Sequence, residues 1–142
     1  MGKEKDIFNP CFKKTRYYEL TNVNFDSTLH VGSGQLVSHH NTYYLIWTIR
    51  DFPVELPSMP GAPYPVHVRY TIFEKCNKPN KTYDSLSGEF VYEINSGTLP
   101  QFNAMGIPYG VYKSIGRNNK YNRSVNVVFS VTEEPLEIII SK

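Results

Sequence analysis

Four histidines, 13 carboxylates and two cysteines are the side chains through which this chain of 142 residues could do chemistry. His39 and His40 are adjacent, and neighbours on an extended chain point to opposite sides, whereas a divalent metal wants three or four converging ligands. His30, His67 and Asp26 could join them only through the fold. A solvated loop pair is the expectation, with no metal and no cofactor. Glu89 and Glu93 share one face of an alternating segment, as paired acid–base carboxylates must. Phe90, Tyr92 and Ile94 occupy the other face and have core character, which leaves the glutamates facing solvent. Ser33 lies between two glycines without the strand-to-helix context of a nucleophile elbow, and no GxSxG, HExxH or Walker loop occurs. The chain reads as non-enzymatic.

Cys11 and Cys76 have no CxxC or Cys/His spacing, so two unpaired thiols in a reducing compartment are expected. The opening MGKEKDIFNPCF places charges where a signal peptide needs an apolar run. No window reaches the roughly 18 apolar residues of a membrane span. Gly2 lacks the Ser or Thr at position 6 that myristoylation prefers, since Asp6 stands there. Synthesis in the host cytoplasm is therefore expected, with residence in the virion if the protein is viral. The glycosylation sequons at Asn80 and Asn122 read as chance matches on that route.

The formal net charge of +2 gives no global field for nucleic acid. Its distribution is less even: residues 94–132 contain no acid and carry Lys113, Arg117, Lys120 and Arg123. Tyr112, Arg117, Tyr121 and Arg123 mix rings with cations as single-strand binders do. A polar hairpin tip explains them more simply. The two PxxP matches near Met59 sit between strong strand patterns and acidic neighbours, unlike an exposed proline-rich recognition tail.

The elements that must hold these residues are strands. Two Ala and 8 Leu stand against 12 Val, 10 Ile, 9 Thr, 11 Tyr and 8 Phe, the residues of a pleated, half-buried surface. Period-2 alternation marks residues 43–50, 66–74, 89–94, 124–131 and 136–140, and more weakly 17–23, 29–31, 35–38 and 109–114. Gly32-Ser33-Gly34 and residues 116–120 read as hairpin turns. Asp51–Pro65 holds five of the ten prolines and reads as a long, stiff loop outside the sheet.

The expected architecture is a single all-β domain, an antiparallel β-sandwich or jelly roll of about eight strands over residues 17–142, with residues 1–16 as an extended basic N-terminal arm. An arm, a long loop and no catalytic constellation suit a structural assembly protein. The expected setting is a phage or viral particle, as a capsid-decorating, head-completion or tail component. The expected partners are other protein subunits, its own copies included, rather than nucleic acid or membrane. The contact residues expected are Lys13, Lys14, Arg16, Tyr17, Tyr44, Met59, Tyr64, Arg117, Tyr121 and Arg123. The alternative is a carbohydrate- or surface-ligand-binding module that uses exposed tyrosines.

Overall fold

The computed structural model describes residues 15–39, 41–53, 63–73, 85–95, 99–118 and 122–141. Eight strands follow one another in chain order round a closed antiparallel barrel. They are β1 (Arg16–Asp26), β2 (Val31–Val37), β3 (Thr42–Arg50), β4 (Tyr64–Phe73), β5 (Ser85–Ile94), β6 (Gly110–Asn118), β7 (Arg123–Val131) and β8 (Glu137–Ser141). β1 closes the ring on β8, from Arg16↔Ile140 to Glu19↔Glu137.

The chain is all-β, but the expected sandwich or jelly roll is overturned: a single sheet closes on itself. Alternation shows which residues face inward, and a sandwich and a barrel alternate alike. Strand order and the meeting of the first and last strands distinguish them, and no local pattern encodes either. Arg16 opens β1 and so belongs to the barrel wall, while residues 1–14 of the expected arm lie outside the described residues. In the proline-rich segment, Tyr64 and Pro65 are the first residues of β4, and residues 54–62 lie outside the described set.

The barrel is filled rather than hollow. Tyr18, Leu36, Tyr43, Leu45, Trp47, Val68, Ile72, Leu86, Val127, Phe129 and Ile138 are all buried in one core, as an eight-stranded barrel's narrow interior permits. Such density needs small residues where large ones cross. Gly32, expected in a turn, lies inside β2 with its missing side chain directed at Trp47; a Cβ there would come within 2.3 Å of the indole. Across the β5–β6 seam, where register is set at a single pair, Ser87↔Arg117, rings supply the contact: Phe90 stacks on Tyr112 with centroids 4.8 Å apart. Phe129 then meets Phe90 at 4.8 Å and Tyr70 at 4.9 Å.

Two buried phenols in this core contrast. The Tyr70 hydroxyl donates to Ser114 Oγ at 2.6 Å, because Ser114 Oγ itself donates to the Val127 carbonyl at 2.9 Å. Burial pushes the Tyr70 phenol up to about 12 despite that bond. Tyr92 is 4% exposed, and its hydroxyl has no hydrogen-bond partner among the described residues. Burial, with Tyr112 beside it, raises its pKa further. Tyr92→Phe is therefore expected to leave thermal stability unchanged or raise it, while Tyr70→Phe lowers it by about 0.5–1.5 kcal/mol. Denaturant titration of the two variants checks the contrast, and equal losses would remove the distinction.

Loop 99–109 leaves β5, turns inward and plugs one mouth of the barrel. Asn103 N–H donates to the Ile107 carbonyl at 2.8 Å and Gly106 N–H to the Asn103 carbonyl at 2.9 Å, a tight turn in which Gly106 takes φ 82°. Met105 and Ile107 are thereby fully buried, and Trp47 Nε1 donates to the Met105 carbonyl at 3.0 Å. No helix among the described residues is long and apolar enough to cross a membrane.

Candidate functional site

With the interior occupied, what the barrel can do lies on its outer wall and at its plugged mouth. The outward rows carry Glu89, Glu93, Arg69, Lys113 and Arg117 over an apolar core, the reverse of a membrane barrel's apolar outer band and polar lumen. Glu89 accepts from His67 Nδ1 at 2.7 Å and lies 3.5 Å from Arg69 Nε on the neighbouring strand. The His67 hydrogen bond, more than the Arg69 charge, holds the Glu89 carboxyl below its ordinary value. This cluster is solvated, and among the described residues no three His, Cys, Asp or Glu side chains converge as a metal site would need.

The expected contact residues are dispersed. Arg16, Tyr17, Arg117 and Arg123 lie toward the unplugged end, where Tyr17 is 60% exposed. Tyr44 is outward on β3, opposite Gln35 and Phe73, whereas Tyr64 starts β4 at the plugged end. Lys13, Lys14, Met59 and Tyr121 lie outside the described residues. Among the described residues the exposed tyrosines therefore share no register row and make no continuous ring platform.

Register does assemble two apolar patches that single residues do not announce. On β2–β4, Val31 and Ile46 lie diagonally across one strand pair, and Tyr44 sits two positions from Ile46 directly opposite Phe73. Val31, Tyr44 and Ile46 are exposed, and a groove of about 660 Å³ runs beside them over Gly32 and Ser33. On the other wall Tyr17, Ile139 and Val128 form one row across β1, β8 and β7, with exposed Val111 and Ile115 on β6. In a ring of eight strands β3 and β7 are diametrically opposed. The acid-free stretch puts Lys113 and Arg117 on the second patch, whose β1–β8 edge also carries Glu19 opposite Glu137, while β1 puts Asp26 opposite Val31 at the margin of the first.

At the plugged mouth, Phe25, Phe52, Phe102 and Ile49 wall a hollow of about 380 Å³. Its polar lining is Ser27, His30 and Asn103, with Gly106 beneath Phe25. Turn 27–30 is fixed by the Asp26 carboxylate, which accepts from the backbone of Thr28 at 2.8 Å and Leu29 at 2.9 Å. His30, at φ 60°, is held at both backbone groups: its N–H donates to the Asp26 carbonyl and its carbonyl accepts from Ile49 N–H. The sequence reading missed this site because its walls come from three separate connections. The inward course of residues 99–109, with apolar Met105 and Ile107 in a Gly/Pro-containing loop, was the one available signal.

Comparison with known proteins returns no match to a family model, a curated protein or a solved structure.

Proposed function

We propose that the protein is a non-enzymatic assembly subunit whose copies join head to tail through opposite walls of the barrel. The observation that supports this reading is the pair of unlike apolar patches four strands apart, one grooved with an acidic margin on β1, the other bearing Tyr17 and basic neighbours. Unlike patches on opposite sides make heterologous contacts, which grow into rings or filaments rather than stopping at a two-fold dimer. Exposed apolar residues clustered on a soluble face mark such contacts more often than singly scattered ones do. The setting proposed is a repeating phage or viral particle, where the subunit decorates a capsid, completes a head or builds a tail.

Complementation tests the geometry. Ile46→Arg breaks the first patch and Val111→Arg the second, both at exposed positions where the fold tolerates charge. The wild-type chain is expected to form multimers in light scattering, and each variant alone to be monomeric with an unchanged melting temperature. An equimolar mixture of the two should form a dimer, because each variant retains the face that the other lacks. A monomeric wild type would sink the assembly reading; variants that stay multimeric alone, or a mixture that stays monomeric, would sink the head-to-tail arrangement.

A further inference from the structure

We propose that the hollow at the plugged mouth is a binding site for a small uncharged molecule carrying one ring and a hydrogen-bond acceptor. This goes beyond the assembly reading and does not depend on it.

The volume of about 380 Å³ falls within the range of small-molecule sites, which are mainly apolar with a few placed polar groups. Three phenyl rings supply the apolar part. His30 meets Phe52 at 5.4 Å and 61°, and Phe52 meets Phe102 at 6.2 Å and 51°. No pair is stacked face to face, so a further ring can pack edge-on or offset against them.

The polar groups can each donate to a ligand acceptor. Asn103 is 7% exposed; its Oδ1 accepts from Met105 N–H at 2.9 Å, but its Nδ2 reaches only the Val131 carbonyl at a long 3.5 Å. An amide nitrogen carries two hydrogens, so Nδ2 keeps a second N–H besides the one aimed at the Val131 carbonyl. A ligand acceptor that reached this N–H would add a hydrogen bond to the apolar contact. Ser27 contributes a hydroxyl and His30 an imidazole, which carries an N–H in either tautomer, from a turn fixed in advance by Asp26.

Charge selects against ions. Among the described residues no lysine, arginine or carboxylate lines the hollow, so an ion would be desolvated there without one of these as counter-charge. Asp26 and Asp51, beside Ser27 and Phe52 in the chain, repel an anion further. A quaternary ammonium could exploit the rings, but phenylalanine is a weak cation–π partner and such a ligand would leave the donors unmet.

The test titrates benzamide, benzoate and choline in parallel into the full chain. It is followed by backbone amide NMR and by fluorescence of Trp47, whose indole holds the loop that carries Asn103. Benzamide is expected to give saturable shifts centred on His30, Phe52 and Asn103 and to bind at least tenfold tighter than the other two. Ser27→Trp, at an exposed rim position, should abolish binding with an unchanged melting temperature. His30→Asn keeps a residue that tolerates positive φ and should weaken binding about 3–10-fold. No saturable shift with benzamide, equal or tighter binding of benzoate or choline, or undiminished binding by Ser27→Trp would overturn the proposal.

Discussion

Trp47→Ala is expected to remove about 3–5 kcal/mol of stability through lost packing, with a further loss from the mouth plug. A domain of this kind has about 5–15 kcal/mol in total, so the variant should lie at or near the edge of folding at room temperature. The indole is the largest fully buried side chain and fills the barrel against Gly32. Its surroundings cannot collapse into the space, because the wall opposite is backbone fixed in the β2–β3 ladder through Gly32↔Trp47. The second loss is polar. Without Nε1 the Met105 carbonyl becomes an unpaired buried acceptor, costing about 1–3 kcal/mol. Trp47→Phe separates the two effects, since it retains most of the ring but not the donor. It should cost less than alanine, yet still raise hydrogen exchange at Met105 and Ile107. Denaturant titration and exchange measurements on both variants decide the matter. A Trp47→Ala protein within 1 kcal/mol of wild type would contradict the role assigned to the indole, and unchanged exchange in Trp47→Phe would contradict its hold on the loop.

The same residues show what was legible in the chain and what was not. Tyr43, Leu45, Trp47 and Ile49 were readable as one face of a strand, and they are its buried face. Phe90, Tyr92 and Ile94 likewise face the core, with Glu89 and Glu93 outside. Those assignments depend only on period 2, which the backbone enforces within one strand. Gly32-Ser33-Gly34 failed as a turn because a glycine leaves the same mark whether the backbone needs positive φ or a neighbour needs room. The neighbour here is Trp47, on the next strand. The register shift between Thr21 and Asn24 in β1, with Asn22 at φ 53°, was equally silent. Closure, the opposed patches and the mouth hollow all join residues distant in sequence. Each needs strand order, and strand order is a property of the whole chain. The exposed tyrosines show the converse: readable one by one, they are spread by the barrel over separate rows.

Gly88→Ala is the companion case at the other side of the barrel, and its expected cost is also large, about 3–5 kcal/mol. A methyl at position 88 would lie 2.3 Å from the Tyr70 hydroxyl, 2.5 Å from its Cζ and 2.7 Å from the Ile115 carbonyl. Overpacking alone costs about 1–3 kcal/mol when the neighbours can move. Here one neighbour is the backbone of β6, and the other is a ring wedged at 4.9 Å against Phe129. Moving the phenol also breaks its bond to Ser114, leaving a buried hydroxyl unsatisfied at a further cost of about 1–3 kcal/mol. The location magnifies the effect, because β5 and β6 are registered only at Ser87↔Arg117, one residue from Gly88. A shifted β6 has no long ladder at this seam to return it to place. A double-mutant cycle identifies the cause. In the Tyr70→Phe background the nearest clash and the hydroxyl bond are both absent, so Gly88→Ala should cost at least about 1 kcal/mol less than in wild type. The contacts with the ring carbon Cζ and with the Ile115 carbonyl persist, so the rescue should be partial. Additive losses in the cycle would move the strain from the Tyr70 hydroxyl to its ring carbons and the β6 backbone, and a Gly88→Ala protein as stable as wild type would exclude tight packing at this seam.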